Sequence, residues 1–211
     1  MTTGDDQPTV SDERGVPLRD LQRPEHLKAL AHPRRLQLLD LLIAEGPLTA
    51  SQCAERIGDS AASCSYHLRQ LARYGFVEEA EGGRGRNRPW RRVPVGNRVT
   101  AGGSPAERAA VEALGTVLDA RNQELVQSWS RRRSGDPWRE VAGTSDWTLR
   151  ITERELADLS AAVTALIAPL QRRTLDGVVP EGSRVVDVLT HLLPRADTRT
   201  VAAQREDDDG A

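Results

Sequence analysis

The sequence predicts a mostly helical fold with a small β component, and three observations carry that expectation. Apolar residues recur every three or four positions through most of the chain between residues 24 and 170. Two Thr residues, Thr49 and Thr152, stand three positions before Gln52 and Glu155, the capping-box spacing that opens a helix. Runs with β character are short and few, at 76–80, 90–94, 147–151 and 185–189.

Residues 1–20 mix Thr, Asp, Gly, Gln and Pro without periodicity and read as disordered. A helix starts at Pro24, whose missing N–H costs nothing at the first helical position. Leu27, Leu30 and Ala31 are its apolar side, and His32-Pro33 breaks it. A second helix buries Leu36, Leu38, Leu39, Leu42 and Ile43, then stops at Gly46-Pro47. The third runs from the Thr49 box to about Ile57, and Gly58-Asp59-Ser60 is a tight turn with Ser60 as the next N-cap. In the fourth helix Cys64, His67, Leu68 and Leu71 make one buried stripe. Its opposite face carries Ala62, Ser63, Tyr66, Arg69, Gln70 and Arg73, and Gly75 ends it. Residues 76–80 and 90–94 read as paired strands, with a Gly- and Arg-rich tip between them. After the linker at 101–104, residues 105–132 form one long amphipathic helix. A strand at 147–151, a helix opening at Thr152 with Leu156, Leu159, Val163, Leu166, Ile167 and Leu170 inside, and a β-rich run at 185–189 complete a C-terminal α/β segment, and the last 16 residues read as a disordered acidic tail.

Composition removes several classes. No stretch approaches 18 apolar residues, so a membrane span is not expected. The polar, acidic opening MTTGDDQPTV lacks the apolar region of a secretory signal. Two cysteines cannot staple a disulfide scaffold, and a reducing cytoplasm is the expected location. The net charge of −2 hides segregation: acids cluster at both ends, while residues 83–92, GRGRNRPWRR, hold five Arg and no acid. A charge run is commonly just a solvated face. Inside a neutral protein it is also a nucleic-acid footprint.

Order decides between the two. Three short helices, a tight turn before the fourth, then a hairpin with a basic tip describe a winged helix-turn-helix. A helix that enters the major groove needs an apolar back to hold it and a small, polar front to approach base edges. The tip then reaches backbone or minor groove, where Gly permits close approach and Arg is drawn to the negative potential. The candidate DNA-binding residues are Ser60, Ala61, Ala62, Ser63, Tyr66, Arg69 and Gln70 on the helix, and Arg84, Arg86, Asn87 and Arg88 on the tip.

Leu27-Lys28-Ala29-Leu30-Ala31-His32-Pro33-Arg34-Arg35, Gly46-Pro47-Leu48-Thr49, Ser65-Tyr66-His67-Leu68-Arg69-Gln70-Leu71 and Gly75-Phe76-Val77 resemble the ArsR-type winged-helix repressors over roughly residues 21–95. The region from Asp146-Trp147 to Pro194 more faintly resembles C-terminal segments of actinobacterial regulators. The resemblance implies a homodimer on a palindromic operator, repression of transcription, and a fourth helix that reads bases. It also implies a dimer contact through the helix after the wing, here at Val111, Leu114, Leu118 and Leu125, a near-heptad stripe broken by Arg121. Metal-sensing members carry Cys-x-Cys where this chain has Thr49 and Ser51, and the helix at 105–132 has no His, so no metal or other cofactor is expected. A small-molecule effector is left open.

The domains expected are a disordered 1–20, a winged helix-turn-helix at 21–100, a dimerisation helix at 105–134, an α/β segment at 146–195 and a disordered 196–211. Cys53 and Cys64 fall on apolar helix faces and read as core residues. His67 reads as a structural residue with a local hydrogen bond, and the four Trp as core fillers. No catalytic motif is present, and no carboxylate pair sits on an apolar face, so an enzyme is not expected. The competing reading is a winged helix that binds protein and has lost DNA.

Overall fold

The computed structural model describes residues 9–11, 17–21, 23–83, 87–99, 103–132, 135–138 and 140–195. The elements are β1 (Thr9–Ser11), β2 (Pro17–Leu21), α1 (Pro24–Leu30), α2 (Pro33–Glu45), α3 (Ala50–Ile57), α4 (Ala61–Arg73), β3 (Val77–Glu79), β4 (Trp90–Arg92), β5 (Gly96–Val99), α5 (Pro105–Arg132) and α6 (Glu153–Leu175).

Local chemistry sets the helix boundaries. Prolines open α1 and α2, and the α2 cap is His32, whose Nδ1 accepts the Arg34 N–H at 3.2 Å. Both halves of the α3 capping box form: the Gln52 N–H donates to Thr49 Oγ1 at 3.2 Å and the Thr49 N–H to Gln52 Oε1 at 2.9 Å. Gly58 then ends α3 with φ 66°, a left-handed turn that favours glycine. The same reciprocal box opens α6 at Thr152 and Glu155.

Helices α1–α4 enclose one core in which Leu27, Leu38, Leu68 and Leu71 are fully buried with Val77, Cys53 and Cys64. Burial pushes the Cys53 thiol up to about 11, so it stays protonated and inert at neutral pH. Strands β3 and β4 pair antiparallel, Val77 opposite Arg92 and Glu79 opposite Trp90. Trp90 also exchanges backbone hydrogen bonds with Leu48, at 3.0 and 2.8 Å, tying the wing to the α2–α3 connection.

Helix α5 lies along α1 and puts Ala110 and Leu114 into that core, with Val111, Val117 and Leu118 packed against it. The stripe expected to face a second chain is therefore used inside this one at Val111, Leu114 and Leu118. Arg121, the residue that interrupts the stripe, clamps Asp40 of α2 with Nε–Oδ2 2.7 Å and Nη2–Oδ1 2.8 Å, and reaches Asp187 at 3.1 Å.

Three expectations need correction. Residues 1–20 are not wholly disordered: β1 pairs antiparallel with β2, and β2 runs parallel to β5. The anchor is Leu21, fully buried in the helical core, and the close seat of Leu18 on Gly96, where a Cβ would stand 2.6 Å from Leu18 Cδ2. The β-rich runs at 147–151 and 185–189 form no strand, because no described strand lies alongside to pair with them. Core filling by the C-terminal segment is not seen: Trp147 is 74% exposed, and Leu166 and Leu170, expected inside α6, are 76% and 54% exposed, because no described element packs over them. The acidic tail at 196–211 lies outside the described residues.

Candidate nucleic-acid interface

Helix α4 is held from three sides. At its N-terminus the Ser60 hydroxyl accepts the Ser63 N–H at 3.1 Å, satisfying one orphan donor. Asp59 accepts from the Ser60 N–H at 2.7 Å and the Ser63 hydroxyl at 3.1 Å, and Arg34 of α2 pairs with it at 3.2 Å. The Ser60 N–H, first among these, holds the Asp59 carboxyl below the usual carboxylate range. Arg34 also donates to the Ile57 carbonyl at 3.3 Å, so one side chain fixes both helices at the tight turn. The back of α4 is Cys64, Leu68 and Leu71, all fully buried.

The third hold, at the C-terminus, comes from the segment expected to be disordered. Arg19 of β2 donates to the carbonyls of Tyr74 and Gly75 at 3.2 and 3.0 Å and stacks over the Phe76 ring at 5.5 Å. A cation here answers the negative end of the helix dipole. Burial lowers the Arg19 pKa, consistent with its enclosed seat. A single arginine in a short irregular sequence carries no periodic signal, which is why this contact was not legible.

The outward face stays open. Ala61, Ala62, Tyr66 and Arg69 are exposed, and Ser63 and Gln70 are half-buried beside them. Tyr66 is 54% exposed, on a helix whose other large apolar side chains are covered. Arg69 donates to Ser65 Oγ at 2.9 Å, which pre-orients its guanidinium along the helix.

Behind this face the His32 and His67 rings lie 4.6 Å apart, and Tyr66 meets His67 edge-on at 5.2 Å. The local hydrogen bond expected of His67 is absent at Nδ1, which is buried without a partner among the described residues, as is Arg35 Nε. Burial is the main cause that depresses both histidine pKa values, and the neighbouring Arg34 and Arg35 add to it.

The wing is less basic than its composition. Arg88 pairs with Glu79 across the hairpin, and Arg91 with Glu78 at 2.8 Å. Arg92 turns inward, half-buried, and desolvation lowers its pKa. Asn87 and Arg88 are exposed, whereas Arg84 and Arg86 lie outside the described residues. Gly83 sets the approach to the tip: its φ is 73°, and a Cβ would stand 2.2 Å from the Asn87 carbonyl oxygen.

A helix-turn-helix domain model matches residues 30–80, which cover α2 to β3. Residues 30–80 form a helix-turn-helix domain. With β3 and β4 as its hairpin the domain is of the winged type, the architecture of DNA-binding transcriptional regulators. No curated protein sequence matches the chain. Among solved structures, the chain is similar to a MarR family regulator, NMB1585 from Neisseria meningitidis, at 16% identity over 66% of this chain and 79% of that one, with TM-score 0.31. It is also similar to MepR of S. aureus bound to ethidium bromide, at 16% identity over 69% and 76% of the two chains, with TM-score 0.23.

Among the described residues no group of three or more His, Cys, Asp or Glu could hold a metal ion. Thr49 spends its hydroxyl on the α3 capping box. No described helix is long and apolar enough to cross a membrane.

Proposed function

We propose that this protein is a cytoplasmic, sequence-specific DNA-binding regulator of transcription, a homodimeric repressor of the ArsR type acting on a palindromic operator. The observation that carries the reading is α4: a capped helix backed by buried Cys64, Leu68 and Leu71, with an open front of Ala61, Ala62, Tyr66 and Arg69, and Gln70 half-buried beside them. Ala61 and Ala62 let the helix end approach the groove. Gln70 suits a bidentate pair with adenine, and Arg69 a guanine or a phosphate. Asn87, Arg88 and the tip arginines Arg84 and Arg86 then add backbone or minor-groove contacts. Arg88 first has to exchange Glu79 for a phosphate. A small-molecule effector is compatible with this reading, and metal control of the family type is not expected.

The winged helix as a protein-binding module gains from the Arg88–Glu79 and Arg91–Glu78 pairs, which neutralise part of the wing. A gel shift on the DNA upstream of the protein's own coding region, repeated at several salt concentrations, separates the two. Retarded DNA with steep salt dependence and preference over random sequence supports the regulator, and no shift at low salt overturns it.

A further inference from the structure

The helix-turn-helix domain and the C-terminal segment treat their apolar residues in opposite ways. Before residue 140 the described large hydrophobics left open are Tyr66, Val99 and Val126. Beyond it twelve are exposed, among them Trp147, Leu149, Val185, Val186, Val188 and Leu193. They lie on α6 and on the irregular segments before and after it in sequence, and leave much apolar surface uncovered.

Helix α6 shows what covers that surface. Its residues Leu159 and Val163 are half-buried and Ala168 is buried, while Leu166 and Leu170 are 76% and 54% exposed. On an ideal helix Glu155, Leu159, Ala162, Leu166, Leu170 and Arg173 share one face, with Leu159 half-covered within the chain and Pro169 at the edge of the face. No charged residue lies between Asp158 and Arg172. The face therefore runs acid, uncharged centre, base. Such a stripe complements itself only when two copies meet antiparallel, where Glu155 of each faces Arg173 of the other and Leu166 lies over Ala162. A parallel pairing sets like charges together.

We propose that α6 is the seam of a two-fold homodimer, in which it packs antiparallel against α6 of a second copy. The interface is isologous, as a two-fold dimer requires, and it leaves Leu114 to the core of each chain. The inference rests on the homodimer reading above.

The test is the mass of the full-length chain at micromolar concentration, by sedimentation or light scattering, without DNA. The wild type is expected as two chains. Leu166→Glu with Leu170→Glu is expected to raise the dissociation constant by at least about 100-fold, since it buries unpaired charge. Both side chains are exposed in the single chain, so circular dichroism is expected to be unchanged. Arg173→Glu is expected to weaken the dimer by setting carboxylates opposite each other. Adding Glu155→Gln, which keeps the Thr152 capping box, is expected to restore part of the loss. A monomeric wild type ends both this inference and the homodimer reading. A dimer indifferent to the Leu166/Leu170 variant, or an Arg173→Glu loss that Glu155→Gln does not relieve, overturns the α6 seam alone.

Discussion

On the proposed reading, Gln70 and the tip arginines act on DNA in different ways, and the difference is measurable. Gln70 stands on a helix whose back of Cys64, Leu68 and Leu71 is fully buried, so its amide is expected to meet a base edge at fixed geometry. Gln70→Ala is expected to cost about 1–3 kcal/mol on the operator, with little effect on random DNA and little change of salt slope. Arg84 and Arg86 are expected to contribute through charge. Replacing both by Ala removes up to four contacts in a dimer, so the slope of log K on log salt should become shallower by roughly 2 to 4 units. Binding titrations on both DNAs at several salt concentrations check the pair; identical behaviour of the two variants would show that α4 does not read bases. Leu21 offers a test away from the DNA. It is fully buried in the helical core, so Leu21→Ala is expected to lower stability by about 2–5 kcal/mol in denaturant unfolding. A free N-terminal tail would lose nothing.

At the scale of elements, the reading helix depends on its two ends. Ser60→Ala removes the hydroxyl that accepts the Ser63 N–H and should cost about 0.5–2 kcal/mol of stability. The Thr152→Ala loss should be of the same order, because the α6 cap has the same geometry. At concentrations that keep the protein dimeric, only the first is expected to weaken operator binding, since α4 is the proposed reading helix and α6 lies outside it; comparing the two variants by melting and by gel shift checks this. Much of this level was legible in advance. Helix α5 spans Pro105–Arg132, α4 opens at the Ser60 cap, and Thr49 and Thr152 each close a full capping box, because caps and periodicity are written within a few residues of where they act. Strand β2 was not legible. Pro17-Leu18-Arg19-Asp20-Leu21 is too short to show a period, and its partner β5 lies about eighty positions away in the sequence. The runs at 147–151 and 185–189 have strand composition without a strand, because composition supplies propensity and not a neighbour.

At the scale of the whole molecule, three histidines are expected to contribute a pH dependence of stability. His26, His32 and His67 all have pKa values lowered, with burial the first cause at each. Glu25 opposes the shift at His26 and Asp59 at His67, while Arg19, Arg23, Arg34 and Arg35 reinforce it at one or more of the three. A histidine whose folded pKa is depressed binds its proton more readily when unfolded. The stability it contributes is therefore present above about pH 6.5 and is lost as pH falls through the folded value. Protonation of His32 also removes the Nδ1 acceptor that caps α2. Thermal unfolding is expected to show a lower midpoint at pH 5 than at pH 7.5, and His67→Gln should shrink that difference.

The sequence alone determined the helices, the caps at Thr49, Ser60 and Thr152, the order that makes a winged helix-turn-helix, and which face of α4 is open. These follow from spacing within a single element. Tertiary structure decided what each surface meets. It seated Arg19 on the carbonyls that end α4, paired Arg88 and Arg91 with Glu79 and Glu78, and drew Leu114 into the core of its own chain. It also left Leu166 and Leu170 of α6 in the open. Periodicity says that a stripe will be covered. Which surface covers it depends on how distant segments pack, and that is not a property of the stripe.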